Sequence, residues 1–372
     1  MHLHRLYLLN FKNYEEADLI FSEKINCFAG DNGSGKTNLL DAIHYLSLTK
    51  SFFNQMDQQN ILFDAEFFRL QGEYILEDGR TETIECLQKR NQRKVFRISK
   101  KEYERMADHI GLLPVVMISP ADADLIYHGS EDRRKFMDAV ISQFDKLYLE
   151  DLIQYHKALQ QRNRLLKQFA ESRHYSAAEI EIWDRQMGNL GNHIYNKRKA
   201  FVERFIPVFS GHFEWISGGR EQVDLTYESN LHNESMEDLL ERTRQDDRAA
   251  AITTAGIHKD DLLFTIRGLP LKKFGSQGQQ KSFLIAIRLA QFDYTSEIKQ
   301  FKPLLLFDDI FDKLDDFRVE QLLRLVSDEH FGQVFIMDTS AERVDGIIRK
   351  IHQNYCFFSI SQGKITGRKG PE

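Results

Sequence analysis

Apolar and polar residues alternate from Leu3 to Phe11, a period of two that predicts a half-buried strand, and Ala17–Phe21 predicts another. Lys24–Ala29 is a short apolar run that stops at Gly30. Thr37–Leu48 then carries Leu39, Leu40, Ile43, Tyr45 and Leu46 at helical spacing. Phe68–Ile75 and Thr83–Gln88 read as paired strands around the turn Glu77-Asp78-Gly79-Arg80. Val115–Ile118 reads as a buried strand closed by Ser119-Pro120.

The pattern changes after Pro120. Tyr148, Leu152, Tyr155, Leu159, Leu166 and Phe169 recur at spacings of three, four and seven, as do Trp183, Met187, Leu190, Ile194, Phe201 and Phe205. Two amphipathic helices joined near Glu171–Ala178 would form an antiparallel hairpin, either an ordinary helical subdomain or a short arm. A coiled coil would need three to four sustained heptads, which the spacing does not supply. Mixed character returns around Ala255, with strands expected at Leu262–Ile266, Pro303–Phe307 and Gln333–Met337 and helices at Lys281–Gln291 and Val319–Leu325. Tyr355–Ile360 and Lys364–Thr366 suggest a terminal hairpin. The expectation is an α/β domain split by a helical insertion: 1–120 and 250–372 form the split domain, and 121–249 the insertion.

Composition narrows the class. The 372 residues are 42% hydrophobic and 28% charged, an ordinary globular balance. No stretch approaches the roughly 18 apolar residues of a membrane span, and Met1–Phe11 lacks a signal-peptide core. Cys27, Cys86 and Cys356 are scattered, without CxxC spacing, so a zinc site or disulfide framework is not expected and a reducing cytoplasm fits. The net charge of −6 is unevenly spread. Gln88–Arg105 holds eight Lys/Arg against two acids, and His156–Phe205 ten against five, which permits an anionic partner.

The densest chemistry lies at Gly30-Asp31-Asn32-Gly33-Ser34-Gly35-Lys36-Thr37, a full GxxxxGK[ST] pattern between an expected strand and helix. Glycines let successive N–H groups turn inward onto phosphate oxygens, and the helix N-terminus adds positive potential. Lys36 would reach the β/γ-phosphates and the Thr37 hydroxyl would ligate Mg²⁺. Leu304–Phe307 ends in Asp308-Asp309, where Asp308 would hold the metal and Asp309 would polarise the attacking water of ATP hydrolysis.

Gly275-Ser276-Gln277-Gly278-Gln279-Gln280-Lys281, opening a helix shortly before that strand, resembles the signature motif of ATP-binding-cassette ATPases. The resemblance implies that Ser276, Gly278 and Gln279 of one copy face the γ-phosphate held by another copy's loop. Asp312-Lys313-Leu314-Asp315 then lies where such ATPases carry their D-loop. Transporter ATPases, the alternative reading, set loop and signature much closer than residues 36 and 276, and carry a His where this chain has Asp338-Thr339-Ser340.

Four further segments resemble the RecF family of DNA replication and repair proteins. They are Leu8–Tyr14, Ser119–Ile126, Arg133–Asp138, and Gly256–Leu262 running into the signature. Ala121, Gly129-Ser130 and Asp312-Lys313 depart from that family's usual residues. The resemblance implies an ABC-type P-loop ATPase head and a weak, Mg²⁺-dependent, DNA-linked ATPase. It also implies ATP-driven homodimerisation on gapped or duplex DNA, RecA loading with RecO and RecR, and a cytoplasmic, SOS-linked role. Lys89–Lys101 and Lys197-Arg198-Lys199 are the candidate DNA contacts, since charge neutralisation dominates such binding.

Overall fold

The computed structural model describes residues 1–172, 174–311, 314–327, 330–339, 346 and 354–370. Arg173, Asp312, Lys313 and Ser340, which entered the charge count and the motif readings, lie outside the described residues. The chain folds as two compact units: residues 1–123, 215–219 and 277–372, and residues 124–214 and 220–276.

The first unit opens with β1 (His2–Phe11), β2 (Tyr14–Ile20), β3 (Ile25–Ala29) and α1 (Lys36–Leu48). Then come β4 (Phe67–Ile75), β5 (Thr81–Lys89), β6 (Val95–Ile98), β7 (Lys101–Glu102) and β8 (Val115–Ile118). An antiparallel sheet runs β2-β1-β4-β5-β6-β7. Its strands alternate buried and less buried residues, as one covered face requires. The β4–β5 hairpin turns at the anticipated place, with the Gly79 amide donating to the Leu76 carbonyl.

In the second unit lie α2 (Asp124–Tyr127), α3 (Ser130–Ser142), α4 (Lys146–Ser172) and α5 (Ala177–Ser217), the last residues of α5 returning to the first unit. They are followed by β9 (Val223–Glu228), α6 (Met236–Arg242), α7 (Arg244–Ala250), β10 (Asp261–Ile266), β11 (Leu269–Pro270) and α8 (Leu271–Phe274). α4 and α5 run antiparallel: Arg162 pairs with Asp184, Asp151 with His193, and Asp145 with Lys197. β9 and β10 pair strand to strand in a β11-β10-β9 sheet. That pairing keeps residues 250–276 in this unit, so the expected boundary at 249 falls inside it, within α7.

Two arginines form the polar core of this unit. Arg162 donates to Asp184 (2.7 Å), Asp247 (2.6 Å) and the Thr253 hydroxyl (2.8 Å), tying both long helices to α7. Arg198 reaches Asp138 through two nitrogens, Asp260 at 2.8 Å and the Ile257 carbonyl at 2.7 Å. Both side chains are fully buried, a position guanidinium tolerates only with its charge matched; the Nη2 of Arg162 is left without a hydrogen-bond partner.

The chain re-enters the first unit with α9 (Gln277–Lys299), β12 (Leu304–Asp308), α10 (Asp316–Ser327), β13 (Val334–Asp338), β14 (Tyr355–Ser361) and β15 (Lys364–Lys369). A second sheet runs β15-β14-β3-β13-β12-β8, parallel except for β15. β3, β12, β13 and β8 are buried at every residue, which is why they read as uninterrupted apolar runs. α1 touches strands of both sheets and is buried on nearly all sides. Its one buried carboxylate, Asp41, is satisfied by Lys12 (2.6 Å), the Ser51 hydroxyl and the Phe52 amide. The buried Gln333 amide bonds both backbone groups of Leu3 and the Ser22 carbonyl, stitching one sheet to the other.

Candidate functional site

β3 delivers the chain to the glycine-rich loop and α1 carries it away. Asp31, Asn32 and Gly33 are exposed at the tip, whereas Ser34 and Lys36 are buried. Gly35 precedes the helix at φ 111°, a conformation that side-chain-bearing residues rarely adopt. A Cβ there would meet the Asn13 amide at 2.6 Å and the Tyr14 ring at 3.0 Å. Lys36 Nζ folds over the loop and donates to the Gly30 (2.7 Å) and Asp31 (3.0 Å) carbonyls. The Ser34 hydroxyl is buried with no protein hydrogen-bond partner, an arrangement that suits a loop built to receive an anion.

β12 brings the carboxylates to that loop. Asp308 accepts from the Thr37 hydroxyl at 2.9 Å, joining residues 271 apart in sequence, and from the Ser119 hydroxyl at 3.5 Å. Burial lifts Asp308 to about 6, with the Asp309 charge adding to the rise and the Thr37 bond opposing it. Hydroxyl and carboxylate oxygens side by side form a hard-donor set that suits Mg²⁺. Asp309 sits at φ 46°, a strained backbone for a non-glycine residue. Its amide donates to the Met337 carbonyl, and its own carbonyl accepts from Lys281 Nζ at 3.2 Å.

Gly278 and Gln279 stand in the first turn of α9, and Ser276 is the last residue of the second unit. The Gly278 carbonyl accepts from the Ser282 hydroxyl, which Arg318 contacts at 3.0 Å. With the Lys281–Asp309 bond, this links the start of α9 to the end of the carboxylate strand.

Ser119 escaped the sequence reading as a site residue, although its segment was singled out. It directly follows β8, the strand paired with β12, and its amide donates to Asp122, which Arg288 holds at 2.6 Å. The register of two neighbouring strands aims this serine at Asp308, and register is not visible in a linear pattern.

The two basic runs expected at the surface differ in how much of each is exposed. Arg198 is an interior residue, and Lys197 is paired with Asp145 at 2.6 Å, so of Lys197-Arg198-Lys199 only Lys199 is exposed. Arg162 and Arg198 both entered the count for His156–Phe205, so that count overstated the surface charge. In the other run Lys94 pairs with Asp57 at 2.8 Å, while Lys89, Arg90, Arg93, Lys100 and Lys101 are exposed.

Residues 2–363 match the family model described as the RecF/RecN/SMC N terminal domain. The chain is 48% identical over 370 residues to the DNA replication and repair protein RecF of Phocaeicola vulgatus, covering 99% of both chains. It is 51% identical over 360 residues to the RecF of Flavobacterium johnsoniae, covering 97% of this chain and all of the relative. The chain belongs to the RecF family. A solved structure of the recombination mediator protein RecF with ATP superposes with a TM-score of 0.88 at 30% identity, covering 99% of this chain and 98% of the other. An Smc head domain derived from Pyrococcus furiosus follows at a TM-score of 0.59 and 16% identity, a likeness of fold alone. The fold is therefore that of a RecF/SMC-type ATPase head, and the transporter-subunit alternative falls away.

Within this RecF fold the motif segments pair off. Arg133 grips Asp261 through two bonds of 2.7 and 2.9 Å, Arg134 reaches the Asp260 carbonyl, and Asp138 takes Arg198. The Arg133–Asp138 and Gly256–Leu262 segments are thus two halves of one clamp inside the second unit. Among the described residues, no helix is long and apolar enough to cross a membrane.

Proposed function

We propose that this chain is an ATP-dependent DNA-binding protein of replication and recombinational repair, with ATP serving as a dimerisation switch. The observation that carries the reading is the Thr37–Asp308 contact, which joins a complete phosphate loop to an acidic strand end. Gly30–Thr37 cradles the phosphates, Lys36 neutralises them, and Thr37 and Asp308 hold Mg²⁺. When bound, the metal offsets charge on the phosphate oxygens. Asp309 orients and polarises the attacking water in a slow, DNA-linked hydrolysis.

Ser276, Gly278 and Gln279 close the site from a second copy. The Lys281–Asp309 bond supports this role, because it ties the carboxylate strand of each copy to the helix that would face its partner. Hydrolysis would then loosen the dimer. The RecF relatives support DNA replication and repair as the setting; RecO- and RecR-type mediators as partners, and RecA loading on gapped or duplex DNA as the outcome, follow from the family resemblance of the motifs. The solved structure described as the mediator protein RecF with ATP in the RecFOR pathway supports both the nucleotide and the partners. Three buried free thiols suit a reducing cytoplasm. Exposed Lys89, Arg90, Arg93, Lys100 and Lys101 are the remaining candidates for backbone contact.

ATP turnover on gapped DNA tests the assignment. Asp309→Asn should bind nucleotide normally and lose at least about a hundredfold in rate, the low end of a general base's contribution. Equal turnover in mutant and parent would remove Asp309 from the chemistry.

A further inference from the structure

The phosphate loop is gripped by residues that lie outside its own sequence motif. Tyr14, fully buried at the start of β2, donates its hydroxyl to the Gly35 carbonyl at 3.1 Å. The Ser34 carbonyl takes the Gly363 amide at 2.8 Å and the Asn13 side-chain amide at 3.4 Å. Asn13 is itself fixed by Asn38 of α1, which donates to its side-chain oxygen at 2.7 Å. Gly363 turns between β14 and β15 at φ 71°, and a Cβ there would lie 2.2 Å from the Asn13 carbonyl oxygen. Three segments remote in sequence, 13–14, 34–38 and 363, therefore interlock with no room for added atoms.

A trans peptide is planar, so its N–H points opposite to its carbonyl. Anchoring the Ser34 carbonyl on Asn13 and Gly363 turns the Gly35 N–H the other way. Anchoring the Gly35 carbonyl, which Tyr14 shares with the α1 amides of Asn38 (3.0 Å) and Leu39 (3.4 Å), does the same for the Lys36 N–H. We infer that Asn13, Tyr14 and the Gly363 turn form a latch that aims the Gly35 and Lys36 amides at a bound phosphate. They are positioning residues for nucleotide, acting through the loop backbone. The inference rests on the phosphate-loop reading given above. It also assigns a purpose to the terminal hairpin, which closes the latch from the far end of the chain.

The test uses the full-length protein and the fluorescent probe mant-ATP with Mg²⁺, titrated against parent, Lys36→Ala, Tyr14→Phe, Asn13→Ala and Gly363→Ala. Tyr14→Phe keeps the ring and removes only the hydroxyl. It should weaken mant-ATP about five- to tenfold, the range of one hydrogen bond, while the melting temperature without nucleotide stays within a few degrees. Hydrogen exchange at the Gly35 and Lys36 amides should rise in the same variant, a local readout that a general packing role would not move. Combining Tyr14→Phe with Gly363→Ala should cost less than the two single losses together, because both act through one loop. Parent-like affinity and exchange in both Tyr14→Phe and Asn13→Ala, with Lys36→Ala still weakened, would overturn the latch. Parent-like affinity in Lys36→Ala would instead overturn the phosphate-loop reading itself.

Discussion

Both units bury charge matched by its opposite, as Asp41 is by Lys12 in the first, but one buried carboxylate of the first unit is held differently. In the second unit, each interior arginine is enclosed by carboxylates: Arg162 by Asp184 and Asp247, Arg198 by Asp138 and Asp260. In the first unit, Asp308 is almost as deeply buried, yet the groups bonded to it are the hydroxyls of Thr37 and Ser119, and burial raises it to about 6. A charge matched by its opposite inside the fold is architecture. A carboxylate held by hydroxyls, beside a lysine-bearing loop, is suited to a cation and its phosphates. The contrast separates scaffold from site without appeal to any motif, and it can be probed from both sides.

The largest effect is expected in the scaffold. Arg198→Ala leaves the buried Asp260 and the half-buried Asp138 without their cation and should cost about 3–5 kcal/mol in urea unfolding. Loss of less than about 1 kcal/mol would mean that this network is ornamental. Next comes the loop: Lys36→Ala should weaken mant-ATP by about 2–3 kcal/mol, the value of a charge-assisted bond to phosphate, at little cost to the melting temperature.

Asp308 should behave in the reverse sense to Arg198. Its folded-state value lies above the ordinary 3.8, so its contribution to stability is fully present below about pH 4 and is lost as pH rises through about 6. Asp308→Asn should therefore stabilise the nucleotide-free protein at pH 7.5, by roughly 1–3 kcal/mol, and flatten the pH dependence of its melting between 4 and 6. The same variant should lose Mg²⁺-dependent binding of mant-ATP. A mutant less stable than the parent at pH 7.5 would refute the contrast. The smallest effect belongs to the surface. Arg93→Glu should reduce the salt slope of DNA binding by about one, with stability unchanged. Lys199→Glu, next to an interior arginine, measures how much of the second basic run is left on the surface.

What could be read from the sequence follows the range of the interactions. The phosphate loop is contiguous, and the parallel strands around it are apolar at every position, so β3, β8, β12 and β13 lie where the pattern puts them. The hairpin α4–α5 was legible because its periodicity runs through two long segments. Arg198 was misread because a linear charge count treats an interior guanidinium as it treats an exposed one. The domain boundary was misjudged for a similar reason. β9 carries little signal alone, and its pairing with β10 across more than thirty residues holds the 250–276 segment in the second unit. Tyr14 and Gly363 bond the loop, and Ser119 bonds Asp308, from strands and turns that only the folded register brings close. Asn10–Tyr14 could be recognised as a family segment, but the grip of Asn13 and Tyr14 on the loop carbonyls could not.

In the proposed dimer one chain holds the phosphates and a second completes the site. Mixing two inactive variants tests it most directly. Lys36→Ala lacks a working loop but keeps Ser276, whereas Ser276→Arg keeps the loop and loses the closing surface. Each alone should show negligible ATP turnover on gapped DNA. A mixed dimer contains one intact pairing, the loop of one variant against the signature of the other. Equimolar mixing should therefore restore a substantial fraction of parental turnover, falling off on dilution as dimers dissociate. Turnover that stays at the sum of the separate variants at every concentration would contradict the composite site.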